Sequence, residues 1–173
     1  MSLATWRLDT TTQTVVFASW AKRLPSIVYW GRRLSELEDL TMVAMASRAD
    51  VTGGMLFENP EISLCPEASR SFPGQSGIQL RQLNGQKWFP RWCIQIADVT
   101  RHKVIFIATD VDSSLVYEAQ FQACADSGLI KATSLLKAEQ SFVVDWLAAP
   151  VVPVSGYGHE IVDFSGRWCG EFQ

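Results

Sequence analysis

The run Leu115-Val116-Tyr117-Glu118-Ala119-Gln120-Phe121-Gln122-Ala123 decides the fold. Leu115, Tyr117, Ala119, Phe121 and Ala123 share one parity while Glu118, Gln120 and Gln122 share the other, which is the period of two expected of a strand with one buried and one wet face. A half-buried strand is therefore predicted over 115–125. Upstream, Trp92, Ile94 and Ile96 are placed on one face of a strand over 92–99, and Val104, Phe106 and Ala108 on one face of another over 103–109, with Thr100-Arg101-His102 joining them. Downstream, Gly128 turns into a strand over 129–138, and Phe142, Val144 and Trp146 alternate with Val143, Asp145 and Leu147. Sequential alternating strands joined by short turns make an antiparallel meander.

The N-terminal third reads the same way. Leu3, Thr5, Arg7 and Asp9 alternate with Ala4, Trp6 and Leu8; Thr14 to Trp20 is rich in β-branched and aromatic residues; Ile27 to Trp30 follows Pro25 and stops at Gly31. These are three strands, and with the meander they predict a mainly β fold, a large antiparallel sandwich of two packed sheets. One helix interrupts it: Ser35 and Glu38 have capping-box spacing, and Leu37, Leu40, Met42, Val43 and Met45 give an apolar face to about Ser47, with Gly53-Gly54 as the stop. Between 59 and 85 the chain holds Pro60, Pro66, Pro73, Gly74, Gly77 and the Asn84-Gly85 pair, which predicts a long ordered loop pinned by Leu64 and Phe72.

Composition excludes several functions. The 173 residues are 47% hydrophobic and 19% charged, which fits a single globular domain over 1–173. The net charge of -3, with no block of lysines or arginines, makes nucleic acid an unexpected partner. No stretch is long and apolar enough for a membrane span, and Arg7, Asp9 and a row of threonines stand where a secretory signal needs an apolar core, so a cytoplasmic chain is expected. Cys65, Cys93, Cys124 and Cys169 form no CxxC pair and are read as reduced, with no metal or other cofactor expected.

Catalytic motifs are equally sparse. No GxSxG, HExxH or GxxxxGK[ST] sequence occurs. Glu58, Glu61, Glu67, Asp110 and Asp112 are carboxylates of the kind that glycosidic hydrolysis uses in pairs, but each is read as a solvated charge. Asp110-Val111-Asp112 lacks the glycine and glutamate of a calcium loop. His102 and His159 are read as turn residues. Seven tryptophans are many for this length. Trp88 and Trp92, flanking Pro90 and Arg91, are either a platform that stacks on pyranose rings or residues that close the sandwich over the loop.

The last ten residues carry Phe164, Arg167, Trp168, Glu171 and Phe172, where a domain normally ends in polar residues. Two readings are open: a last strand of this domain's own core, or a seam against a second domain, in which case an exposed apolar patch is expected at Phe164, Trp168 and Phe172.

Taken in order, Tyr29-Trp30-Gly31, Leu64 with Pro66-Glu67, Gly74 and Gly77, and Phe164-Ser165-Gly166-Arg167-Trp168 with Glu171 resemble the N-terminal domain of the glycoside hydrolase family 36 α-galactosidases. The resemblance implies a galactose mutarotase-like β-supersandwich followed by a (β/α)8 barrel that carries the two catalytic aspartates, so none of the catalytic residues is expected here. It also implies that Phe164, Arg167 and Trp168 meet that barrel, and that the chain takes part in a homo-oligomer, since family members often form tetramers. In some relatives the long loop reaches the galactose with an acidic residue just after its glycine motif. Here Gly74-Gln75-Ser76-Gly77-Ile78-Gln79 has none, leaving Gln75, Ser76 and Gln79 as neutral hydrogen-bonding candidates. The rival reading, from the residues alone, is a stand-alone carbohydrate-binding sandwich built on Trp88 and Trp92.

Overall fold

Alternating sequences become strands because each buries one face against a neighbour, and the order of pairing follows from turn length. The computed structural model describes residues 2–48, 61–148, 150–154 and 160, with the backbone of 166–167 and 170–171. Strands β1 (Leu3–Asp9), β2 (Gln13–Trp20) and β3 (Ser26–Arg32) form an antiparallel sheet in that order. Strands β4 (Ile78–Gln82) and β5 (Lys87–Trp88) form a hairpin; β6 (Trp92–Thr100), β7 (Lys103–Asp110), β8 (Val116–Ala123) and β9 (Ile130–Lys137) form a four-stranded meander. Strand β10 (Phe142–Leu147) pairs with β4, and β11 (Gly166–Arg167) pairs with β12 (Gly170–Glu171). The fold is a mainly β antiparallel sandwich with one α-helix among the described residues.

The two larger sheets meet face to face through aromatic rings. Phe17 of β2 lies 5.1 Å from Phe106 and 4.8 Å from Phe121, and Trp6 of β1 lies 5.1 Å from Phe106. Ile78 and Leu80 of β4 join the same core. Tilted and edge-on pairs at these separations satisfy the ring quadrupoles while removing large apolar areas from water. β2 is buried along almost its whole length because its second face is covered as well: helix α1 (Leu40–Ala46) places Ala44 against Ala18 and Trp20. That explains why apolar residues fall on both faces of Val15 to Ala18.

Several expectations are corrected. The helix begins at Leu40, not beside Ser35: the Asp39 carboxylate accepts from the backbone N–H of Thr41 and Met42, whereas Ser35 closes a separate turn by accepting from Leu37 N–H. Its face is barely buried, with Met42 64% exposed. The 59–85 segment, expected as a long ordered loop, carries regular elements. Its described part holds a 3₁₀ turn at Ala68–Arg70 and strand β4, whose Ile78 and Leu80 are buried, and Asn84-Gly85 is the β4–β5 hairpin turn, with Gly85 at φ +86°. The meander stops at β9, since β10 leaves it to pair with β4. On β6 a register shift between Ile94 and Ile96 turns Ile96 to the outside, 53% exposed and opposite Ile107, instead of beside Trp92. Leu64 is fully buried, as a pin for this segment requires. Gly53-Gly54 lies outside the described residues.

Candidate functional site

One cavity, of about 240 Å³, gathers residues that are dispersed in sequence. The segment after the 3₁₀ turn supplies Gly74, Gln75 and Ser76; β4 supplies Gln79; β5 and the residue after it supply Lys87, Trp88 and Phe89; β10 supplies Asp145. Gln75, Ser76, Gln79 and Trp88, separate candidates in the sequence, therefore share one site. Ser76 Oγ donates to Ile78 O at 3.0 Å, so it shapes the loop as well as lining the cavity.

Trp88 is held in place. Its Nε1 donates to Asp110 Oδ2 at 2.9 Å, and its ring packs on Phe142 with centroids 6.1 Å apart. Asp110 also accepts from Arg91 N–H at 2.8 Å and from Ser113 Oγ at 2.6 Å. Burial alone would raise this carboxyl, but hydrogen bonds from Ser113, Arg91 N–H, Trp88 and Asp112 N–H together outweigh it and hold the pKa below the ordinary value of 3.8. Asp110 is thus a buried structural anchor and not a solvated charge. Phe89, beside Trp88 and 57% exposed, widens the aromatic surface.

Trp92 does not belong to this site. It is 0% exposed and packs, tilted, at 5.6 Å on Tyr117 in the core, so of the two readings Trp92 closes the sandwich and shares no surface with Trp88. The cause is parity: Trp92 opposes Asp110 on the inward face of β7. The buried Glu67 carboxylate ties the 3₁₀ turn to β6, accepting from Trp92 N–H at 2.6 Å and from Arg70 Nε at 3.0 Å. Burial raises its pKa above 4.5, against the pull of Arg70 and the Trp92 N–H. This carboxylate too is structural, contrary to the solvated reading, while Asp112 pairs with Arg91 at the surface.

A second, larger cleft of about 650 Å³ lies at the opposite end of β7, where Arg101 and His102 of the β6–β7 turn face Thr11, Asp9 and Arg33. Arg7 there is committed to Asp9 and to the carbonyls of Leu34 and Ser35. Among the described residues no Phe, Tyr or Trp side chain lines it. Among the described residues no three His, Cys, Asp or Glu side chains converge tightly enough to hold a metal ion. His159, Glu58, Phe164, Trp168 and Phe172, and the side chain of Arg167, lie outside the described residues, and with them the expected terminal patch.

Sequence reading missed Lys87, Phe89 and Asp145. Lys87 and Phe89 flank Trp88 in sequence and were within reach of that reading; Asp145 was not, because only the β10–β4 pairing brings it here.

By its layers and connections the chain is an antiparallel β-sandwich domain that presents an aromatic, amide-lined cavity. A family model described as the glycosyl hydrolase family 36 N-terminal domain matches residues 23–173, and the chain belongs to that family. The fold is similar to part of the crystal structure of the α-galactosidase from Lactobacillus brevis, with a TM-score of 0.66 and 10% sequence identity over 84% of this chain. The chain spans 23% of the length of that enzyme. No curated protein matches it in sequence.

Proposed function

We propose that this chain is the non-catalytic N-terminal β-supersandwich of an α-galactosidase-like glycoside hydrolase. It braces a (β/α)8 catalytic barrel of the same polypeptide, and its Trp88 cavity forms one wall of the α-galactoside pocket. Family membership supports the first part, and the similarity to the L. brevis enzyme agrees with it in fold. The observation that carries the second is the cavity itself, which joins a fixed indole to the side chains of Gln75 and Gln79. A pyranose presents an apolar C–H face and a rim of hydroxyls, and an aromatic plane beside amides matches both.

The test has two readouts. On p-nitrophenyl α-D-galactopyranoside the chain is expected to show no turnover, and turnover abolished by substituting any residue of this chain would overturn the non-catalytic reading. In titration with methyl α-D-galactopyranoside, a single wall of a pocket should bind weakly, in the millimolar range, with the Trp88 indole N–H resonance among those that move.

The half-buried Trp88 beside the exposed Phe89 also favours a second reading, a carbohydrate-binding module that acts by itself. Micromolar affinity of the chain alone would select it.

A further inference from the structure

Strand β10 departs from regular pairing at one residue. Val144 opposes Leu80 and Trp146 opposes Gln79, which leaves Asp145 unpaired on β4 as the extra residue of a bulge. A bulge bends its strand and re-aims the side chain it carries, and Asp145 lines the cavity with Gln79, Lys87 and Trp88. The carboxylate is fixed in that position. Arg81 Nε donates to Oδ2 at 2.6 Å and Arg81 Nη2 donates to Oδ1 at 2.6 Å, while Arg81 itself does not line the cavity. The arginine fork occupies one acceptor direction on each oxygen, and each oxygen has a second. Hydrogen bonding by Arg81, with the Arg81 and Lys87 charges, holds the carboxyl's pKa below its ordinary value of 3.8.

We propose that Asp145 is the specificity-determining acceptor of this cavity, taking the hydrogens of two neighbouring hydroxyls of a neutral pyranose stacked on Trp88. Lys87 and the amides of Gln75 and Gln79 supply the donors that complete the ring of contacts. A second acid in the ligand would meet a carboxylate already in place, so uronic acids are rejected. The inference rests on the reading of this cavity as a sugar site.

The experiment follows the Trp88 indole resonance during titration with methyl α-D-galactopyranoside and its singly deoxygenated analogues, for the chain itself and for Asp145→Asn. A hydrogen bond to a charged group is strong enough that losing it weakens binding about tenfold or more. Two analogues lacking adjacent hydroxyls should each bind the wild-type chain about tenfold more weakly than the parent sugar, and Asp145→Asn should bind parent and analogues alike. The deoxy series on the wild-type chain needs no variant, so the result does not depend on how well Asp145→Asn folds. Equal binding of all analogues by the wild-type chain, with the Trp88 resonance still shifting, overturns the role of Asp145 and leaves the sugar site standing. No shift at Trp88 with any of these sugars overturns both.

Discussion

Asp110 and Glu67 are both buried carboxyls, yet they push stability in opposite directions with pH. The fold favours ionised Asp110, whose hydrogen bonds from Ser113, Arg91 N–H, Trp88 and Asp112 N–H outweigh burial, so its contribution is complete above about 3.8 and is lost as pH falls through its lower folded value. Glu67 behaves the other way. Its pKa is raised above 4.5, so as pH rises past that value the unfolded chain ionises first and stability declines, levelling off above the folded pKa. Urea midpoints measured between about pH 3 and 7 should show Asp110→Asn flattening the acid limb and Glu67→Gln flattening the decline above it. Cys65 adds a residue-scale prediction. Burial, opposed by the neighbouring Trp92, pushes its thiol up to about 12, whereas Cys124 is exposed. Native-state alkylation followed by mass spectrometry should mark Cys124 and spare Cys65 until the chain unfolds.

At the scale of elements, two glycines separate steric from backbone constraint. A Cβ at Gly77 would come within 2.8 Å of Cys65 Cα and Sγ, where β4 enters the core past the 64–66 segment. Backbone cannot yield as a side chain can, so Gly77→Ala should cost about 1–3 kcal/mol. At Gly85 nothing lies near, but φ is +86°, and Gly85→Ala should cost about 1 kcal/mol from the left-handed backbone alone. Thermal melts of both variants check this. The larger loss should fall on Gly77→Ala, and the reverse order would mean that the hairpin turn, not the packing of β4 on Cys65, governs this element.

At the scale of the molecule, Phe106 stands where both larger sheets meet, touching Trp6 and Phe17 across the interface. Phe106→Ala should cost about 3–5 kcal/mol, a large share of the roughly 5–15 kcal/mol that holds most domains folded. One shared core also underlies our reading of 1–173 as one domain. Tryptophan fluorescence and far-ultraviolet circular dichroism should then unfold in one coincident transition, and Phe106→Ala should shift both together. Two separated transitions would divide the chain. The brace proposed for a catalytic barrel depends on that unity, since a wall can shape a neighbouring pocket only if it is rigid.

Local periodicity was enough to reveal most strands, because burying one face imposes a period of two wherever pairing is regular, as along Leu115 to Ala123. It failed at two of the three bulges among the described residues, where one inserted residue reverses the faces: Ile96 turned outward and Asp145 into the cavity. It also misjudged Asp110 and Glu67, because whether a carboxylate is solvated or locked depends on backbone N–H groups many residues away. The candidate site was half legible, since Gln75, Ser76, Gln79 and Trp88 stood out by residue type while Trp92 looked equivalent to Trp88. The amino-acid order by itself determined the β class, the turns and the family. Tertiary structure alone decided that β10 pairs with β4, which tryptophan is buried, and which acid stands beside the other, because those depend on contacts between segments far apart in the chain.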